Sequence, residues 1–175
     1  NICLENSVGL VIPTIDTELL LLSNARDSFL ANGIQIVISS IEFVSSCRDK
    51  RMTANFFTEY DIDQPEIYNK NKLKYPCFCK PYDGSCSIGA FVVRSESELT
   101  EDIIEDDKNM FMELIPKTFS EYTVDGYYTD NGNLTCLVPR KRLEIRGGEV
   151  SKWITKKDFV YDYLLPKLMH VPGAR

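Results

Sequence analysis

The sequence has one histidine, one tryptophan and no apolar run of membrane-spanning length. Without about 18 consecutive apolar residues there is no candidate transmembrane helix, so no membrane partner is expected. No segment combines the charged start, apolar middle and small-residue cleavage site of a secretory leader, and a cytoplasmic address is expected. Positive charge is short too: 20 Lys and Arg against 26 Asp and Glu leave a net charge of −6, with a pI near 4.9. A nucleic-acid partner usually needs a net basic face, so none is expected, although a local basic cluster can still hold a small anion. The six cysteines, Cys3, Cys47, Cys77, Cys79, Cys86 and Cys136, lack the paired spacings of a zinc site or a disulfide scaffold, which fits free thiols. His170 shows no partner for general-base work and is read as a packing or surface residue. Trp153 is read as a core or lid aromatic. Neither a dinucleotide-binding glycine fingerprint nor a Walker loop is present.

What is there suits one or two compact units, since 43% hydrophobic residues and 26% charged ones are too core-forming a mixture for a disordered tail. "NICLENSVGLVIPT" reads as the tail of a helix running into an apolar strand, as if an earlier part were missing. In "DTELLLLSNARDSFLANG" the apolar residues recur at helical spacing, with Asp16 or Thr17 as N-cap and Gly33 closing the end. "IQIVISS" suits a buried strand. Strand, helix, strand in that order predicts a right-handed parallel unit, the later half of a doubly wound α/β layer. "CRDKRMTANFFTEYDIDQP" predicts one short helix that stops before Pro65. Its basic start, Arg48, Lys50 and Arg51, is either a solvated end or an anion contact, because cations at a helix N-terminus oppose the dipole.

The stretch "YPCFCKPYDGSCSIGAFVV" predicts strands over 74–80 and 88–93, joined by a long hairpin connection. Cys77 and Cys79 flank Phe78, which sends both thiols to one strand face, where small apolar groups pack. Gly84 and Gly89 let the backbone approach a ligand, and successive N–H groups in such a loop form a nest for phosphate oxygens beside Lys80. On local chemistry alone it is either that or an ordinary glycine-serine hairpin. Further on, "MFMELI", "EYTVDGYYT" and "LTCLVPRKRLEI", with Asn131-Gly132 as a turn, predict an antiparallel meander. Alternation sends Arg140, Arg142 and Glu144 to one face of the last strand. Arg140, Lys141, Arg142, Arg146 and Lys152 are either surface decoration or the lining of a cleft.

Taken in order, "DKRMT", "YPCFCKPYDGSCSIGAFVV", "MELIPKTFSEYTVDGYYTDNGNL", "VPRKRLEIRGGEVSK" and "LPKLMHVPGAR" resemble the ATP-grasp superfamily, and within it proteins like the large subunit of carbamoyl phosphate synthase. The resemblance covers most of the chain from about Asp49. It implies an α/β (α+β) architecture: a truncated pre-ATP-grasp layer over 1–48, a small α/β subdomain with a glycine-rich lid over 49–110, and the start of a large antiparallel subdomain over 111–175.

By the same resemblance Lys50 and Lys80 contact ATP phosphates, and the loop carrying Asp83, Gly84, Ser85, Ser87 and Ile88 is the lid over them. Glu113, Leu114 and Ile115 match the hinge that reads adenine. Glu121 matches the acidic residue on the ribose hydroxyls, a task suited to an acceptor-only carboxylate. Arg140, Arg142 and Arg146 line the cleft near the transferred phosphoryl group and the carboxylate substrate. Two departures stand out. The hinge has "PKTFS" where relatives commonly carry a glycine, and the sequence ends at Arg175 before the late glutamate and Asn-Pro-Arg that bind Mg²⁺ in relatives, so no metal ligand is assigned and the stretch is read as a fragment of a catalytic unit.

The implied activity is an ATP- and Mg²⁺-dependent ligase that phosphorylates a small carboxylate to an acyl phosphate, which an amine then attacks. The competing readings are a non-catalytic ATP-binding or regulatory module of the same fold and a plain protein-interaction domain. A homodimer is among the arrangements left open.

Overall fold

Short elements joined by tight turns make up most of the chain, in a computed structural model that describes all residues but Cys86, Lys117, Gly147 and Gly148, and all side chains but theirs and those of Ile145 and Glu149. In chain order these are α1 (Ile2–Glu5), β1 (Leu10–Val11), a 3-10 turn (Asp16–Glu18), α2 (Leu19–Asn24), α3 (Arg26–Ala31), β2 (Gln35–Ile36), α4 (Ile41–Arg48), α5 (Lys50–Glu59) and β3 (Ile67–Tyr68). Then come β4 (Cys77–Pro81), β5 (Phe91–Val93), a second 3-10 turn (Glu96–Glu98), α6 (Glu101–Glu105), β6 (Asn109–Glu113), β7 (Tyr122–Tyr128), β8 (Leu134–Arg146), β9 (Glu149–Thr155) and α7 (Phe159–Leu164). Among the described residues no helix is long and apolar enough to cross a membrane. The chain divides into two compact units, one formed by Asn1–Arg48, Val124–Val138 and Lys157–Arg175, the other by Asp49–Thr123 and Pro139–Lys156.

In the first unit β1 and β2 pair in parallel, Leu10 with Gln35 and Val11 with Ile36, as strand, helix, strand requires. Ile36, Ile38 and Val44 form the core, and Val11, Leu19, Leu22 and Phe29 pack on it. The expected single helix over this region is two, α2 and α3. The break falls at Ala25, and Ser23 in the last turn of α2 donates its hydroxyl to Ser39 O at 2.9 Å. Gly33, at φ +75°, ends α3 in the left-handed conformation that glycine adopts without strain. Residues 41–46, unassigned from sequence, open α4, which also takes Cys47 and Arg48 from the helix expected after them, and Ser40 Oγ accepts the Phe43 N–H at its start.

In the second unit β3, β6, β4 and β5 form a four-stranded antiparallel sheet in that order. β4 and β5 are the expected hairpin, except that β5 begins at Phe91, because Ser87 and Gly89 take positive φ and keep 87–89 in a turn. β6, expected to open the meander, instead lies between β3 and β4. Alternation alone does not name a strand's partner. Cys77, Cys79, Val93 and Phe111 fill one side of the sheet, with Tyr68, Leu73, Leu99 and Ile103 packed on them, so both thiols are core groups. The opposite face carries Phe78 and Lys80 from β4 and Met110 and Met112 from β6, placed side by side by the register Phe78 with Met112 and Lys80 with Met110. The second unit also holds the pairing of the later part of β8 with β9, Arg140 opposite Thr155 and Arg142 opposite Trp153.

Candidate functional site

Lys80 stands one residue before the end of β4, the only charged side chain on a strand that reads Cys-Phe-Cys-Lys-Pro. It is half-buried, and among the described residues it has neither a hydrogen-bond acceptor nor a carboxylate partner. Lys50 stands near it as the first residue of α5. Burial first, and the Lys50 charge second, pull the Lys80 ammonium below the ordinary lysine range. Two cations brought together in a partly dry place repel unless an anion joins them.

Lys50 Nζ donates to Gly84 O and, at 3.4 Å, to Tyr82 O, so the helix start and the loop are tied to each other. Lys50 N–H also donates to Tyr82 O at 2.9 Å, and Tyr82 N–H to Lys108 O at 2.9 Å. Asp83 forms an ion pair with Lys108 at 2.8 Å. Beyond Gly84 the loop turns twice, with Ile88 N–H on Ser85 O at 3.1 Å and Ala90 N–H on Ser87 O at 3.2 Å. The N–H groups of Ser85, Ser87 and Gly89 donate to no acceptor among the described residues. Ser87 and Ile88 are exposed, and Cys86 lies outside the described residues. Gly84 and Gly89 both abut Pro81, with added Cβ atoms meeting its ring carbons at 3.3 and 3.0 Å. A side chain at either position would push the loop off the strand.

Glu113 sits at the other end of the β4–β6 pair, opposite Cys77, three residues from Met110 and so about 10 Å along the strand. Its main chain and carboxylate are both engaged by Glu66, through Glu113 N–H to Glu66 O at 2.8 Å and Glu66 N–H to Glu113 Oε2 at 3.3 Å. The main-chain groups of Leu114 and Ile115 bond to no described residue.

Glu121 and the arginines form another group, on β8 and its neighbours. Arg142 N–H donates to Glu121 O at 2.8 Å, Arg142 Nε to Thr123 Oγ1 at 3.0 Å, and Arg142 Nη1 meets Glu121 Oε2 at 3.5 Å. Phe119, Ser120 and Glu121 face Lys141, Arg142, Leu143 and Glu144 across an open pocket of about 350 Å³. The three arginines do not converge. Arg140 lies over the Trp153 ring at 5.2 Å, while Arg146 is paired with Glu144 at 2.6 Å. Glu144 also leaves the face expected for it. The register shifts on both sides of it, and such bulges interrupt alternation, so it pairs with Lys152, whose Nζ lies 2.8 Å from Glu144 Oε2. Lys152 first and Arg146 second hold the Glu144 carboxyl below its usual range.

Sequence reasoning missed Phe78, Met110 and Met112 beside Lys80, though the alternation in "CFCKP" and "NMFME" carried that signal once the strands were paired. Among the described residues no three of His, Cys, Asp and Glu gather as a metal site.

No family model matches the sequence, and no curated protein matches it. Solved structures do. Biotin carboxylase from Campylobacter jejuni superposes with a TM-score of 0.70 at 15% identity, over 95% of this chain and 42% of that one. L-amino acid ligase from Bacillus licheniformis gives 0.65 at 15%, over 95% and 44%. D-alanine-D-alanine ligase from Helicobacter pylori gives 0.60 at 19%, over 86% and 48%. This chain thus spans less than half the length of each. All three are ATP-grasp ligases, and the chain has the ATP-grasp fold.

Proposed function

We propose that this chain binds ATP and belongs to an ATP-dependent ligase of the carboxylate–amine type, carbamoyl phosphate synthase-like in the order of its motifs. The observation that carries the reading is the half-buried Lys80 ammonium close enough to Lys50 to feel its charge, with no carboxylate partner of its own among the described residues. Lys80 would take phosphate oxygens directly. Lys50 would exchange the carbonyls of Gly84 and Tyr82 for them, and the N–H groups of Ser85, Ser87 and Gly89 would complete the cradle, with Asp83 and Ile88 at its edges. The Leu114 and Ile115 main chain would read the adenine edge beyond Glu113. Phe78, Met110 and Met112 would flank the base, and Glu121 would accept from the ribose hydroxyls. When bound, ATP supplies the phosphoryl group that turns a carboxylate into an acyl phosphate open to attack by an amine.

Of the arginines, Arg142 is the best placed to bind the carboxylate or the transferred group, held as it is by Thr123 and Glu121. Arg140 and Arg146 would have to leave Trp153 and Glu144 to join it. Mg²⁺ enters through the resemblance alone. It is commonly held by one or two carboxylates plus phosphates. The division into a pre-ATP-grasp part over 1–48, a small subdomain over 49–110 and a large one from 111 belongs to the same proposal.

The engagement of Arg140 and Arg146 elsewhere favours a second reading, a module that binds ATP without turnover. One experiment addresses both. Thermal shift and calorimetry with ATP, GTP and a non-hydrolysable ATP analogue measure binding, and phosphate release with panels of small carboxylates and amines measures turnover. Binding with carboxylate-dependent release supports the ligase. Binding without release supports the module, and no response to any nucleotide at millimolar concentration would falsify both.

A further inference from the structure

The segments that carry Lys50 and Lys80 are fastened together by groups with no part in holding a nucleotide. Asp49 caps α5, accepting the Arg51 N–H on Oδ1 at 2.9 Å. The same carboxylate takes the Arg51 side chain two-handed, Nε on Oδ1 at 3.0 Å and Nη2 on Oδ2 at 2.6 Å. A two-point contact fixes the plane of a guanidinium as it cannot fix an ammonium. Held that way, the Arg51 guanidinium lies over the Tyr82 ring, 3.6 Å from its centroid, within cation–π range. Tyr82 is two residues past Lys80, and its carbonyl receives both the Lys50 N–H at 2.9 Å and Lys50 Nζ at 3.4 Å. The residues before and after Lys50 therefore grip a residue of the strand end that presents Lys80.

That grip answers a physical problem. Two cations in the first turn of a helix oppose the dipole, and Lys50 and Lys80 repel one another. Left alone, a flexible lysine moves away. We propose that Tyr82, gripped by Arg51 and Asp49, is a positioning residue that keeps Lys50 within reach of Lys80 and so sets the affinity of the site for a phosphate chain. This rests on the nucleotide reading above. Pre-set spacing matters because a site built from loosely held groups loses affinity to their ordering.

The test compares Tyr82→Phe, Tyr82→Leu and Arg51→Lys in the whole chain, measuring calorimetric affinity for a non-hydrolysable ATP analogue, thermal midpoint and amide exchange at Lys50. Tyr82→Phe keeps the ring and should bind like the native protein. Tyr82→Leu and Arg51→Lys should weaken binding about three- to tenfold through lost ordering of the site, with faster exchange at Lys50 and a midpoint lowered only slightly by the lost cation–π contact. Native-like affinity in Tyr82→Leu overturns the proposal, as does a loss in Tyr82→Phe equal to that in Tyr82→Leu. If the native protein binds no analogue, the nucleotide reading falls separately. The positioning of Lys50 then stands if its amide exchanges faster in the leucine and lysine variants alone, and falls if exchange is unchanged.

Discussion

Replacing Lys80 with methionine should weaken nucleotide binding and, with the opposite sign, leave the free protein at least as stable. The stem and volume are kept, and the charge is lost. A hydrogen bond to a charged group contributes about 1.5–3 kcal/mol net, which is about 10- to 150-fold in affinity. The upper part of that range is expected for Lys80, which is half-buried and has no competing acceptor among the described residues. Lys50 must give up Gly84 O and Tyr82 O to bind phosphate. Its net gain is an exchange, and Lys50→Met should cost only about 0.5–1.5 kcal/mol.

The stability sign follows from the depressed Lys80 pKa. Below that pKa the folded protein holds a charge that burial and Lys50 disfavour, and there the cost is fully present. It shrinks as pH rises toward the ordinary lysine value, because the unfolded chain then binds more protons than the folded one. Methionine removes that cost. Calorimetry with a non-hydrolysable ATP analogue and thermal melts of the free proteins read both signs. Equal affinities for native and Lys80→Met, a larger loss from Lys50→Met, or a free Lys80→Met protein that melts well below native would each refute the reasoning.

Three further outcomes test the surroundings. Cys79 is fully buried and its thiol is pushed up to about 11 by burial and then by Cys77, so at neutral pH an alkylating reagent should modify exposed Cys136 and reach Cys77 and Cys79 only after unfolding; rapid native labelling of Cys79 contradicts the packing. The depressed Glu144 pKa means that its ion pairs contribute stability above the usual glutamate range and lose it as pH falls through the folded pKa. Melts of Glu144→Gln should therefore match native at low pH and fall slightly below it at neutral pH, and the reverse order would contradict the Lys152 and Arg146 contacts. Gly132→Ala should destabilise by more than about 1 kcal/mol, because Gly132 has φ +74° and an added Cβ would meet Val171 O at 2.5 Å; an unchanged denaturation midpoint would show that the turn can shift.

The parts of this fold written in local pattern were legible in the sequence. The β4–β5 hairpin followed from two apolar runs around a glycine-serine loop, and Cys77 and Cys79 were placed in the core by the single residue between them. The parts set by partner choice were not. Nothing in "MFMELI" says that its neighbours are β3 and β4 rather than β7, because hydrophobic alternation fixes faces and leaves pairing to the whole chain. The bulges beside Glu144 were hidden for the same reason. They are a property of two paired strands, and the pattern of one strand does not contain them. The Lys50–Lys80 pair was anticipated only through family resemblance, since local chemistry leaves each lysine open between an anion contact and an ordinary solvated end or hairpin. The Arg51–Tyr82 stack left no trace at all, because its two halves share no local pattern.

Glu121 and Arg142 illustrate how contact strength decides what a geometry permits. Their side chains meet at 3.5 Å with Glu121 63% exposed and Arg142 34% exposed, and exposed pairs contribute about 0–1 kcal/mol. So weak a pair does not lock the carboxylate. Glu121 can turn to a pair of hydroxyls at little cost, and its present partner does not count against a ribose role. Arg142 is anchored differently, since Thr123 holds Nε and the Glu121 carbonyl holds its main chain, so losing the Glu121 carboxylate would leave the guanidinium in place. Arg146, among the described residues, has no second side-chain contact beyond Glu144. Its bond to Glu144 is short, yet the side chain is 73% exposed, where screening by water leaves little to hold it. If an anionic substrate meets an arginine of this group, Arg142 presents its guanidinium with the least ordering still to do.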